Sequence, residues 1–189
     1  MSTKILHDIK SNPLIRDLYI TDIGFYPCAL HHFRRRKPGI HENILIYCIN
    51  GSGSIQINEQ FYLIKPNSYI VIPAHQSHTY WASENHPWSI YWIHFGGAKS
   101  YCFEKFFGVP ITIKTLTNAR VDDRINLFNE ILTSLELGFS KENIEFANLS
   151  LVRLLASFFY VEIYRASKGY QSKNPVDQAI FFMQENLNK

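Results

Sequence analysis

The residues best suited to chemistry in this sequence concentrate between positions 73 and 96. Residues 88–95, Trp-Ser-Ile-Tyr-Trp-Ile-His-Phe, have the side-chain period of a strand. That period puts Trp88, Ile90, Trp92 and His94 on one face and Ser89, Tyr91, Ile93 and Phe95 on the other. An indole stacks on the apolar face of a sugar ring, and a phenol or imidazole supplies directed donors and acceptors to its hydroxyls. Trp92 beside Tyr80 and His78 is therefore a set suited to a saccharide. Each also has a plainer use, the two aromatics as core packing and His78 as a satisfied structural group. Other chemistries lack their residues: the sequence contains no glycine-rich phosphate loop, no GxSxG nucleophile turn and no HExxH. Most Asp and Glu fall in loops and on helices, which argues against a paired-carboxylate hydrolase.

The elements that must position these side chains are strands first and helices later. Residues 43–50 form a continuous apolar run, stopped by Gly51-Ser-Gly53, and residues 54–58 then alternate with period two. Further strands are predicted over 61–64, 68–72, 77–82 and 88–95, with two earlier ones near 19–26 and 28–34. Short strands punctuated by turns predict a barrel or sandwich. Gly96-Gly97 ends this region; a short helix over 100–107 and one more strand over 111–114 follow.

From there the period is helical. Val121, Ile125, Phe128, Leu132 and Leu135 share one face of a helix over 120–137, which Gly138 can close. A second helix, about 140–166 with Ser140 as its cap, carries two apolar stripes. One runs Ile144, Ala147, Leu151, Leu154, Phe158, Val161, and the other runs Leu149, Val152, Ala156, Phe159, Ile163. Two stripes need two partners: the first is expected to pack on the domain and the second, with Leu149, Val152, Phe159 and Ile163, to meet a second subunit. Both being internal is the alternative. Residues 169–173 read as a polar linker, and Asn174-Pro175 opens a last helix with Val176, Ala179, Ile180, Met183 and Leu187 on one stripe.

Composition sets the class. The 189 residues are 46% hydrophobic and 19% charged, as in a packed domain, and 19 Lys and Arg against 16 Asp and Glu leave only +3. That excess is far below what phosphate-driven nucleic-acid binding needs, so any service to DNA falls to another segment. The cysteines Cys28, Cys48 and Cys102 form no CxxC and are odd in number, which argues against a disulfide framework or a zinc-cysteine site and for a reducing cytosol. Residues 1–8 lack the apolar region of a signal peptide, and no stretch of 18 apolar residues could cross a bilayer, so a cytoplasmic location is expected.

The order strand, Ile49-Asn-Gly-Ser-Gly53, strand, Phe61-Tyr-Leu-Ile-Lys-Pro66, strand, Ile72-Pro-Ala-His-Gln-Ser-His-Thr-Tyr80, then Pro87-Trp-Ser-Ile-Tyr-Trp-Ile-His-Phe-Gly96 resembles the N-terminal effector-binding and dimerisation domain of AraC-type transcription regulators. The resemblance spans about residues 15–165. It implies an α+β fold, a cupin-like antiparallel β-barrel of jelly-roll type followed by a helical dimerisation segment. The expected divisions are an N-terminal arm over 1–14, the barrel over 15–115, the dimerisation helices over 116–168, and over 169–189 a linker with the first helix of a truncated DNA-binding domain. It further implies a homodimer that touches DNA only through that further domain, a small-molecule effector, often a sugar, and no catalysis or cofactor. In the family an arginine near this point often reaches the ligand, and within Arg34-Arg-Arg-Lys37 the match is Arg36; the alternative is a solvated basic turn. Trp92 and Tyr80 match stacking and hydroxyl-contact positions of the arabinose-responsive member, whereas Ile90 replaces a polar contact, which puts arabinose itself in doubt. The competing reading is a metal-dependent cupin enzyme acting on a sugar. It needs a His-x-His pair, yet residues 44–50 hold no ligand pair, His31-His32 are adjacent, and His41-Glu42 has the wrong spacing. A third reading is a dimerisation module with a fully packed barrel.

Overall fold

The computed structural model describes residues 1–114, 119–169 and 175–186. Among the described residues nine strands form two antiparallel sheets: β1 (Tyr19–Tyr26), β2 (Phe33–Arg36), β3 (Asn43–Asn50), β4 (Gly53–Ile57), β5 (Gln60–Ile64), β6 (Ser68–Ile72), β7 (His78–Ala82), β8 (Ser89–Gly96) and β9 (Ile111–Thr112). One sheet has the order β1-β8-β3-β6-β9 and the other β2-β7-β4-β5. The two face each other as a cupin-like barrel with the helices packed on the outside, an α+β fold.

The apolar pattern explains this layering. β3 and β6 are buried on both faces. Their inward residues Ile44, Ile46, Cys48, Ile70 and Ile72 join Ile55, Ile57, Ile64, Trp88 and Ile90 between the sheets. Their outward residues Leu45, Tyr47, Tyr69 and Val71, with Tyr91, Ile93 and Phe95 of β8, pack under the helices. A strand that must satisfy a core on each side has no room for polar alternation, hence the continuous runs.

The helices among the described residues are α1 (Thr3–Ser11), α2 (Val121–Glu136), α3 (Lys141–Phe159), α4 (Val161–Gly169) and α5 (Pro175–Asn186), with a 3-10 helix over Ala98–Phe106. The segment 1–14 contains a helix, capped where the Ser2 hydroxyl accepts the Ile5 N–H. Its Ile9 is buried with Ile15 and Ile144. Ser140 caps α3 by accepting the Asn143 N–H. Asn148 ties α3 to the barrel, its side-chain oxygen accepting the Ile20 N–H at 2.7 Å.

Three expectations need correction. The second strand is Phe33–Arg36 rather than 28–34, because Cys28 adopts φ 42° and the chain turns before it extends. The helix expected over 140–166 breaks at Tyr160, and the axis bends by 104°. Buried Arg124 sits at that break, its Nε and Nη2 donating to the Ser157 carbonyl at 3.1 and 2.9 Å, with Ala119 O as a further acceptor. Lone carbonyls at a helix end need such donors.

The break divides the second stripe. Leu149 and Val152 are 49% and 50% exposed on α3, and Ile163 is exposed on α4, along a different axis. Phe159 is not on that surface: at the last turn of α3 it is 6% exposed, stacked on Phe106 at 4.8 Å and touching Phe103 at 5.2 Å. It fills the space between the 3-10 helix and the sheet, so it belongs to the core of the single chain. The expected linker lies outside the described residues over 170–173, and so do Asn174 and Leu187. No single helix among the described residues is long and apolar enough to cross a membrane.

Candidate functional site

Between the two sheets, toward the end formed by β1, β2 and the C-terminal part of β8, the apolar core gives way to a cavity of about 110 Å³. It is lined by Asp22 and Tyr26 of β1, His32, Arg34 and Arg36 on or before β2, Ile44 and Ile46 of β3, Tyr80 of β7, and Ile90, Trp92 and His94 of β8. Drug-sized ligand sites usually run about 300–1,000 Å³. The space is partly open to solvent, so it encloses a few heavy atoms of an occupant whose remainder stands at its mouth.

Strand period sets the walls. Ile90, Trp92 and His94 recur every second residue on β8, and Arg34 and Arg36 do so on β2, opposite Tyr80 and His78 in the β2–β7 ladder. The basic run is thus a strand, not a solvated turn: Arg34 and Arg36 face the cavity, and Arg35 takes the other face and is exposed. Gly24 pairs with Trp92 in the β1–β8 ladder. A Cβ at Gly24 would come 2.7 Å from Trp92 Cζ2 and 2.9 Å from Cε2, so hydrogen alone lets the indole lie across β1.

The polar groups form one connected set. Arg36 Nη1 donates to the Tyr80 hydroxyl at 3.2 Å and lies 3.4 Å from His78 Nε2. His78 Nδ1 lies 2.8 Å from the Gln76 carbonyl, which can only accept. Its proton is therefore on Nδ1, and Nε2 is left as the acceptor for Arg36. Aromatic rings fill the rim: Trp92 lies between Tyr26 at 5.6 Å and His94 at 5.3 Å, and His32 contacts Tyr26 and Tyr80 at 4.9 and 5.2 Å. Two buried polar atoms, Trp92 Nε1 and His32 Nδ1, have no hydrogen-bond partner among the described residues.

Burial keeps the imidazoles neutral. His32 is pushed down to about 4 by desolvation first, then by the charges of Arg34 and Arg36. His94 is pushed down to about 4 by desolvation, then by Arg36 and His78. His78 is lowered mainly by burial, which outweighs its bond to Gln76. Burial raises the Tyr80 phenol although Arg36 pulls it down, so the O–H stays protonated.

Of the four residues singled out in the sequence, Arg36, Tyr80 and Trp92 line this cavity. His78, 2% exposed, stands behind them and holds Arg36. The sequence reading missed Asp22, Tyr26, His32, Arg34 and His94 as wall residues. His94 shares the β8 face with Trp92 and was legible by period; Arg34 required the correct placement of β2. No three His, Cys, Asp or Glu side chains among the described residues are grouped as metal ligands would be.

The AraC-like ligand binding domain model matches residues 24–133. The MmsAB operon regulatory protein of Pseudomonas aeruginosa is 33% identical over 97 residues, covering 49% of this chain and 31% of that protein. The match thus spans less than a third of the relative's length. Among solved structures, the plu4264 protein of Photorhabdus luminescens has a TM-score of 0.32 at 20% identity, covering 40% of this chain and 62% of that one. The Cupin 2 conserved barrel domain protein of Leptotrichia buccalis has a TM-score of 0.32 at 19% identity, covering 44% and 36%.

Proposed function

This chain belongs to the AraC-like ligand binding domain family, and from that premise we propose that it senses a small saccharide or sugar-like molecule between its sheets and relays occupancy to an attached helix-turn-helix DNA-binding domain. The observation that carries the reading is the cavity itself, in which an indole, a phenol and a guanidinium converge over an isoleucine floor. Trp92 supplies a stacking surface, while Tyr80 and Arg36 supply donors for hydroxyls.

A route outward exists on the same strand. Trp92 faces the cavity, and its neighbour Tyr91 points the other way, donating to Asn129 Oδ1 of α2 at 3.2 Å and packing on Phe128 at 5.0 Å. A shift of β8 on binding would therefore be felt by α2, which packs against α3. The exposed Leu149 and Val152 of α3 are the proposed homodimer face. Cys28, Cys48 and Cys102 are all free thiols, which suits a cytoplasmic regulator. In this reading the domain senses its ligand and does not transform it.

The test is a thermal-shift screen of monosaccharides, short oligosaccharides, sugar acids and divalent metals. A native-state ligand at 100 times its Kd adds about 2.7 kcal/mol. A saccharide or sugar-acid shift that disappears in Trp92→Ala supports the sensor. Stabilisation by metal with no response to any sugar contradicts it and favours a metal-dependent cupin enzyme.

A further inference from the structure

We infer that the effector carries a carboxylate, seated on Arg36 and the Tyr80 hydroxyl, with its carbon skeleton against Trp92 and the isoleucine floor. The inference rests on the inter-sheet cavity being the effector site and adds the charge of the occupant.

The charge balance of the walls points there. Two guanidiniums, Arg34 and Arg36, line a space with a single carboxylate, Asp22. Asp22 is exposed and accepts the Ile23 N–H at 3.0 Å. Neither arginine has an ion pair among the described residues, although five other pairs occur there. Arg36 is half-buried, and both of its partners are neutral: Tyr80 and a His78 whose proton is turned away to Gln76. Arg34 is exposed, but half-buried Arg36 has given up part of its hydration with no anion in return, and a bound anion would supply that charge.

Geometry narrows the anion. Both protein contacts use Arg36 Nη1, and Nε and Nη2 have no protein partner among the described residues. Because Tyr80 accepts from Arg36, its own O–H remains to be donated. One free guanidinium edge plus one hydroxyl proton matches the two oxygens of a carboxylate. A dianion such as phosphate would bring a second negative charge toward Asp22, which lines the same cavity. The neutral imidazoles of His32 and His94 add hydrogen-bonding capacity without competing charge. Ile44, Ile46, Ile90 and Trp92 leave the rest of the occupant in an apolar setting, as a pyranose face or short alkyl chain requires.

The experiment compares acids with their neutral counterparts at constant ionic strength by isothermal titration: D-galacturonate against D-galactose, and acetate against acetamide, with inorganic phosphate as a further probe. The expected result is saturable binding of the carboxylates at least tenfold tighter than of the neutral partners, abolished in Arg36→Gln and retained in Arg35→Gln, whose side chain faces outward. Equal affinity within each pair, an acid preference that survives Arg36→Gln, or phosphate binding tighter than either carboxylate would overturn it. Binding of D-galactose without D-galacturonate removes the carboxylate and leaves the sensor standing. Silence toward every probe overturns the carboxylate, and the sensor is then judged separately by the Trp92→Ala screen.

Discussion

Gly24→Ala probes the site through a contact that no ligand is needed to see. Gly24 lies opposite Trp92, and the added Cβ would stand 2.7 and 2.9 Å from two indole carbons. Unstrained carbon contacts lie near 3.5–4.0 Å, so the ring must retreat by roughly 1 Å. The backbone at Gly24 is ordinary extended strand, so alanine meets no conformational penalty there and the cost is steric. Tyr26 and His94 flank the indole at 5.6 and 5.3 Å, which leaves the cavity as the free direction. Overpacking of this kind costs about 1–3 kcal/mol, and each kcal/mol lowers Tm by about 2–4 °C in a chain of this size. Urea denaturation would read the loss, and the displaced ring would also occupy the effector space and blunt any ligand response. In Gly24→Ala/Trp92→Phe the clashing fused ring is gone, so the double variant should be more stable than the sum of the two single changes by about 1 kcal/mol or more. A Gly24→Ala protein within 0.5 kcal/mol of the parent, with additive behaviour in the double variant, would refute the packing argument.

His32 and His94 sit near pKa 4 in the fold against about 6.5 unfolded. Between those values the unfolded chain binds the extra protons, so stability is full above pH 6.5 and falls as the pH is lowered toward 4. The slope is at most about 1.4 kcal/mol per pH unit for the more deeply buried His94 and is smaller for half-buried His32, whose charge solvent screens. Urea midpoints at pH 7 and pH 5 check it, and an equal or higher midpoint at pH 5 contradicts it. Leu149→Glu and Val152→Glu should weaken self-association in sedimentation with little change in Tm. Phe159→Ala should instead cost about 3–5 kcal/mol of folding stability, because its ring is internal to one chain. Arg124→Met should cost about 1–3 kcal/mol by leaving the Ser157 and Ala119 carbonyls without their donor. Unchanged denaturation would remove Arg124 from the account of the bend.

Much of the barrel was legible because β3, β6 and β8 read the same way locally and globally. Their apolar runs and the intervening Gly and Pro turns predict strands within one or two residues of those observed. Side-chain period was enough to put Trp92 and His94 on one face. It failed at β2, where nothing in the dipeptide Pro27-Cys28 announces a left-handed residue, so the strand register was placed early and Arg34 was lost from the wall. The α3–α4 break was illegible for a different reason. No Pro or Gly marks Tyr160, and the cause is tertiary: a buried guanidinium from another helix, Arg124, takes the carbonyl of Ser157. Helical periodicity continued the stripe through that point and so carried Phe159 onto a surface it does not occupy. Gly24 was equally silent, since its role depends on the strand that pairs with it.

In the proposed sensor an effector binds between the sheets against Trp92. The most direct test is a 15N–1H spectrum of the three indoles during titration with monosaccharides and sugar acids. Trp81 serves as the internal control, since it lines a groove with Leu30, Phe33 and Leu63 and is not among the cavity walls. Any compound that stabilises the domain should move the Trp92 Nε1 signal saturably while Trp81 stays fixed. A stabilising compound that leaves Trp92 unmoved, or that moves Trp81 instead, would contradict the account.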